Sequence, residues 1–308
     1  MITLTAFGVD IYALRDNMHP IGKSFCFLLG EVSPSELPTA TNRRYHREAA
    51  IVHNTLNKII TERGANPGGA HPDLLQALLD ASASETDPIA PEMLIDNVVM
   101  FFFGGYDTTS TGMGYTLCLL AAYPDVQAKA VAEIDAVVGR DGKIKYEVLQ
   151  NLPYLNAVLT ESLRLFPPLP ATMRNLETDL DIGGYTVAAE TTVFLSIWCI
   201  NWSRLNWGND VLEFKPECHL TTDANDEQMS AKDRAYRFMT FSGGPRNCVG
   251  MRFATLESTC MLVSILQQCV LTRPKDAPPI QPKLVGIVQK PELGVWLHVA
   301  PRPTPRYA

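Results

Sequence analysis

The sequence has no basic surplus. Against 26 lysines and arginines stand 33 aspartates and glutamates, a formal net charge of −7 over 308 residues. That balance lacks the electrostatic footprint of a nucleic-acid partner. Seven cysteines, an odd number, fall at 26, 118, 199, 218, 248, 260 and 269, with no CxxC pair and no zinc-finger spacing. A chain this long needs no disulfide staples. Reduced thiols are expected, most of them as small buried hydrophobes. No internal repeat and no flavin or nicotinamide fingerprint occurs. The opening, MITLTAFGVDIYALRDN, lacks the basic start and unbroken apolar core of a signal peptide. It reads as the middle of an amphipathic helix, so the chain is expected to be the later part of a longer one.

What is present is a globular composition, 46% hydrophobic and 19% charged. Residues 1–90 read as helices broken by polar loops at 31–42 and 62–72. Residues 93–123 form an apolar stretch long enough for a membrane span. Its Asp96, Asn97, Asp107 and threonines favour a buried core helix instead. Pro124 opens a helix that closes on Gly139, and a further helix over 152–166 stops at PPLP. Gly183-Gly184 and the β-branched runs YTV and TTVFL predict a small sheet within 171–200. An irregular, Trp- and Asn-rich connection covers 201–240. A helix follows Cys248 to about residue 270, and the Pro-rich tail carries a strand-like GVWLHV. Helices first and strands later predict a mostly α fold with a small minor β-sheet region.

Four stretches carry chemistry. FSGGPRNCVG, residues 241–250, sets Cys248 at the mouth of a helix, where the positive end of the helix favours a negative charge. Gly243, Gly244 and Gly250 allow something bulky near the backbone, and Arg246 adds a cation. A nucleophile, a metal ligand and a buried small hydrophobe all remain open for the thiol alone. A nucleophile would want a histidine base, and no histidine lies between His219 and His298. GGYDTTS, residues 104–110, puts two glycines in mid-helix at roughly 1 kcal/mol each. With threonines that bond back to the helix, it predicts a local opening lined by Asp107 and Thr108. Such a pair suits a proton relay, or is a packing glycine pair beside a polar patch. Glu161 and Arg164 are spaced i, i+3 on one helix face between apolar flanks, so the pair is either a solvated surface bridge or a buried brace. FKPECHL, residues 214–220, and Arg174 carry no signal alone.

In this order, GGYDTT, ESLR, FKPE and FSGGPRNCVG together resemble the C-terminal two-thirds of a cytochrome P450, of the eukaryotic microsomal branch in style. FxxGxRxCxG is the most specific of them. The resemblance implies a haem-thiolate monooxygenase carrying haem b, with Cys248 as the axial ligand of the iron. By position, Phe241 packs beside the haem, Arg246 and Arg174 hold propionates, and Gly250 belongs to the same loop. Gly105, Asp107 and Thr108 match the oxygen groove and proton-delivery pair of the distal helix. Glu161 and Arg164 match an internal ion pair. Partners implied are an NADPH-dependent flavoprotein reductase and an apolar small-molecule substrate, the latter also suggested by Phe101–Phe103 and Tyr106, with no nucleic acid.

Residues 1–308 are expected to form a single P450 domain, incomplete at its front: a helical part over 1–170 with the distal helix at about 91–122, then minor strands, the haem loop, a helix and a hairpin over 171–308. A membrane anchor upstream would place the parent protein on the cytosolic face of the endoplasmic reticulum. Two readings stay beside this one: a truncated fragment without stable haem, and a relative that rearranges peroxides, which would typically lack the relay threonine. Two departures from the family pattern stand out. Cys218 occupies the place of an arginine that normally completes a triad with the Glu161–Arg164 pair, and Asn201-Trp202 replaces His-Arg. Either is expected to loosen the proximal core.

Overall fold

The computed structural model describes residues 7, 20–30, 37–65, 73–84, 88–220 and 236–303. The expected first helix falls outside them apart from Phe7, as do most of the two early loops and part of the 201–240 connection. Contacts divide the chain into two compact units, one of residues 1–107 with 285–287, the other of 108–284 with 288–308.

The first unit is helical. It contains α1 (Pro20–Gly30), α2 (Ala40–Ala65), α3 (Leu74–Ser82) and the first half of α4 (Pro91–Ala122). Val52, Leu56 and Ile60 recur at helical spacing along α2 and meet Ile21, Phe25, Leu94, Val98 and Phe102 in one buried cluster. Phe102 is stacked 4.3 Å from Phe25 and 6.2 Å from Tyr106, so these two aromatics of the distal helix serve this core. Asp73 caps α3 by accepting from the Gln76 amide at 2.9 Å, and both of its carboxylate oxygens also accept from Arg63 Nη1.

The second unit holds the rest of α4, then α5 (Pro124–Val137), α6 (Tyr146–Leu149), α7 (Pro153–Leu165), α8 (Ile197–Asn201), α9 (Arg204–Trp207) and α10 (Met251–Gln268). Proline opens α5 and α7, where a missing N–H costs nothing. The α7 start has no side-chain cap of its own. Glu133 of α5 takes that role, accepting from the Tyr154 and Leu155 amides at 2.8 Å each. Leu120, Ile134, Leu155, Val158, Leu262 and Leu266 form the centre of the core. At Gly112 a Cβ would stand 2.9 Å from the Leu163 side chain, so α4 and α7 approach closely there.

Among the described residues the strands form four two-stranded pairs. β1 (Ala171–Asn175) runs antiparallel to β4 (Thr192–Ser196), with Ala171 opposite Ser196. β2 (Leu180–Ile182) and β3 (Tyr185–Val187) are joined by Gly183-Gly184, both at positive φ, as a tight two-residue hairpin requires. β5 (Cys269–Thr272) pairs with β8 (His298–Pro301), and β6 (Pro282–Val285) with β7 (Val288–Pro291).

The mostly α fold with small sheets is as the sequence predicts. Four details differ. The helix α4 is helical at every residue from Pro91 to Ala122, with no opening at Gly104–Ser110. Buried side chains on both sides of the glycines, Phe102 and Met113 among them, outweigh the glycine cost. Of the GVWLHV stretch only His298 and Val299 are in strand. The 201–240 connection contains α9 and a 3-10 turn, Pro216–His219. Among the free thiols Cys118, Cys199, Cys218, Cys248, Cys260 and Cys269, only Cys118 is fully buried; the rest lie on partly covered or open faces. No helix among the described residues is long and apolar enough to cross a membrane.

Candidate active site

The loop 241–250 is closed by its own backbone. The Cys248 amide donates to the Phe241 carbonyl at 2.8 Å, and the Asn247 amide donates to Gly244 at 3.1 Å, across a 3-10 turn, Gly244–Arg246. Gly244 has φ +72, and Ser242, at φ 60, shares the left-handed region. At Gly243 a Cβ would stand 2.8 Å from the Tyr236 ring, so any side chain there would have to displace that ring. The chain then enters α10, whose first turn closes when the Ala254 amide reaches Gly250 at 2.8 Å.

Cys248 is exposed at the end of this ordered loop. Beside it in sequence Val249 is 83% exposed, and Met251 and Phe253 are also open. Such a run of uncovered apolar side chains around a thiol is a surface shaped for an apolar cover. Gly250 adds a second sign. Its φ is ordinary for any residue, and a Cβ there would meet nothing closer than the Cys248 sulfur at 3.9 Å. The protein itself makes no demand for glycine at 250, yet a Cβ would intrude on the space beside the sulfur. A thiol donor, an apolar surround and a cleared approach fit a haem bound through sulfur.

Two arginines flank the loop. Arg246 is exposed on the 3-10 turn. Arg174 on β1 is half-buried, held by Thr172 Oγ1 and the Met173 carbonyl at 2.8 Å each, with Nη2 3.5 Å from Ser242 Oγ. The structure therefore brings Arg174 to the loop from a separate element. Phe241 is half-buried, its ring edge-on to Phe238 at 6.3 Å. Gly105, Asp107 and Thr108 lie on α4, Gly105 and Asp107 in the first unit and Thr108 at the start of the second. Asp107 is only 4% exposed, while Gly105 and Thr108 are half-buried.

A second polar centre surrounds Glu161. The Glu161–Arg164 pair is fully buried and two-pronged, Nε to Oε2 at 2.7 Å and Nη2 to Oε1 at 2.8 Å. The Lys215 amide donates to Oε1 at 3.1 Å, His219 Nε2 lies 2.9 Å from Oε2, and the Cys218 thiol lies 3.6 Å from it. Burial alone would raise the Glu161 pKa, but Arg164 and His219 overcome it and hold it down at about 2. Burial and the neighbouring Glu161 carboxylate push the Cys218 thiol up to about 12. Arg164 also donates to the Asn201 carbonyl at 2.9 Å and lies 4.9 Å over the Trp207 ring, which Arg237 covers at 3.9 Å.

The expected loosening at the two departures is not what the structure has. Where an arginine was missed at Cys218, the next residue, His219, reaches the carboxylate. Asn201 is wholly buried and bonded, accepting from the Met239 amide at 3.0 Å and donating to Thr240 Oγ1 at 2.8 Å. Trp202 donates its indole N–H to the Leu165 carbonyl at 2.9 Å. Thr240 in turn donates to the Leu163 carbonyl at 2.9 Å. A continuous set of hydrogen bonds thus runs from Glu161 through Arg164 and Asn201 to Thr240, the residue before Phe241. Sequence reasoning missed His219, Asn201 and Trp207 in this role. The one available signal was His219 directly beside the departure at Cys218.

The family model described as Cytochrome P450 matches residues 12–298. Among curated proteins, the chain is 31% identical to Cytochrome P450 3A13 of Mus musculus over 98% of its own length and 62% of the relative's. It is 33% identical to Cytokinin hydroxylase of Arabidopsis thaliana, over 86% of this chain and 51% of that one. A solved structure, the crystal structure of cytochrome P450DA heme domain, superposes with a TM-score of 0.85 at 26% identity, covering 98% of this chain and 65% of its own. The chain thus spans between half and two-thirds of the length of these relatives.

Proposed function

The chain belongs to the cytochrome P450 family, and on that premise we propose that it is the haem-binding part of a haem-thiolate monooxygenase. The observation that carries this reading is the exposed Cys248 thiol, held on a backbone-closed loop beside the cleared approach at Gly250. Haem bound there would supply activation of dioxygen and transfer of one oxygen atom to an organic substrate.

The chain's own residues have separable tasks. Cys248 Sγ would hold the iron. Arg246 and Arg174 would hold the two propionates, Arg174 from a position fixed by Thr172 and Ser242. Phe241 would shield the loop, and Gly250 keeps the sulfur accessible. On α4, Gly105 would belong to the oxygen groove. Asp107 and Thr108 are the proton-delivery pair. The retained Asp107 and Thr108 favour oxygen-dependent turnover over peroxide rearrangement. Electrons come from NADPH through a flavoprotein reductase, and the work is done at the endoplasmic reticulum membrane. An apolar substrate is supported by a cleft of about 750 Å³ in the first unit, lined by Phe25, Leu28, Val99, Met100 and Phe103, with His53, Asn54 and Asp96 among its polar residues.

The test is the reduced, CO-bound absorption spectrum of the expressed chain, with and without Cys248→Ser. A red-shifted Soret band that vanishes in the variant is the expected result. A haem spectrum indifferent to Cys248→Ser sinks the ligand assignment.

A further inference from the structure

We propose that Glu161, Cys218 and His219 form a binding site for one divalent cation of the zinc class. The proposal is independent of the haem reading. It rests on three donors of suitable chemistry converging from two separate elements. Cys218 and His219 are consecutive on the 3-10 turn Pro216–His219, and Glu161 faces them from α7. Oε2 of Glu161 lies 2.9 Å from His219 Nε2 and 3.6 Å from Cys218 Sγ, and the three ligand atoms all lie within 4.8 Å of one another. Donors at about 2.0–2.3 Å from a tetrahedral zinc stand roughly 3.3–3.8 Å apart. The triangle is therefore near its working size, and a small outward shift of His219 admits the ion.

Nitrogen, sulfur and carboxylate oxygen together suit zinc, with the fourth position left to water. Calcium and magnesium prefer oxygen alone, so sulfur and imidazole select against them. The surroundings agree with this. Glu161 is fully buried, and Arg164 fixes its orientation with two hydrogen bonds, Nε to Oε2 at 2.7 Å and Nη2 to Oε1 at 2.8 Å. The His219 side chain is 13% exposed, which gives an ion and its water an opening. On binding, the metal–sulfur bond forms as the Cys218 S–H bond breaks, and the proton leaves to solvent. The direct His219–Glu161 hydrogen bond gives way to two metal bonds.

Equilibrium dialysis of the purified full chain against zinc(II), with bound metal counted by atomic emission, tests the site. X-ray absorption at the zinc edge, at one equivalent, reads the neighbours. One zinc per chain with a sulfur neighbour at about 2.3 Å is expected. Cys218→Ser and His219→Gln should each weaken binding by at least about tenfold. Cys199→Ser and Cys248→Ser should keep both the stoichiometry and the sulfur distance. Melting curves by circular dichroism check that each variant is folded. Should Cys218→Ser fail to fold, the sulfur distance in the unaltered chain and in the two control variants decides. No bound zinc at tens of micromolar, a shell of nitrogen and oxygen alone, or full binding in folded Cys218→Ser would each overturn the proposal.

Discussion

The two polar centres of the second unit are built on opposite principles. Around Glu161 every strong interaction is made within the chain: a buried carboxylate meets a guanidinium, a backbone amide, an imidazole and a thiol. Around Cys248 the backbone is closed but the side chains are not, and Val249, Met251 and Phe253 stand open beside the sulfur. The first centre is buried and braced by the chain's own groups, and its energetics belong to the fold. The second is ordered on its backbone yet uncovered on its side chains, which is the form of a surface awaiting a large apolar ligand. Asn201 and Thr240 join them, so the buried centre holds the backbone that presents the open one.

Five substitutions and one change of pH would break or sharpen that contrast. Arg164→Ala should have the largest effect. It strands a buried carboxylate, and about 3–5 kcal/mol of stability should be lost in denaturant melts. Acid should act on the same group. Glu161 has a folded pKa of about 2 against an ordinary value of 4.5. Its contribution, about 3 kcal/mol, is therefore present above pH 4.5 and is lost as pH falls toward about 2. Melts across that window should show the loss, and Glu161→Gln should flatten the slope there. Next comes Asn201→Ala, which leaves the Met239 amide without its acceptor and should cost roughly 1–3 kcal/mol. Smallest are Cys248→Ser and Gly250→Ala. Both sit where the chain makes no use of the side chain, so each should shift stability by no more than about 0.5 kcal/mol while haem uptake falls. A large stability loss in either would erase the distinction between the two centres.

Much of the fold was legible from local signals. Proline marked the starts of α5 and α7, paired glycines marked the β2–β3 hairpin, and the helix after Cys248 was expected to within two residues of its observed end. The loop 241–250 was legible because its special residues are contiguous. The Glu161 centre was only half legible. The i, i+3 spacing gave Glu161 and Arg164, but His219 comes from 58 residues away, and no period along a chain encodes a contact of that span. Asn201 and Trp202 read as weakening changes because their hydrogen-bond partners are equally remote. The opening expected at Gly104–Ser110 followed from glycine and threonine propensities, which packed neighbours override.

The Gln127 side chain has a consequence of its own. Its amide accepts from the Leu271 N–H at 2.9 Å and donates to the Leu271 carbonyl at 2.8 Å. Leu271 is in β5, whose other side is paired with β8. One glutamine on a neighbouring helix thus takes the place of a third strand. An extended segment from another molecule would find both backbone groups of Leu271 already engaged, so a single buried side chain closes the β5 edge to strand addition at that residue.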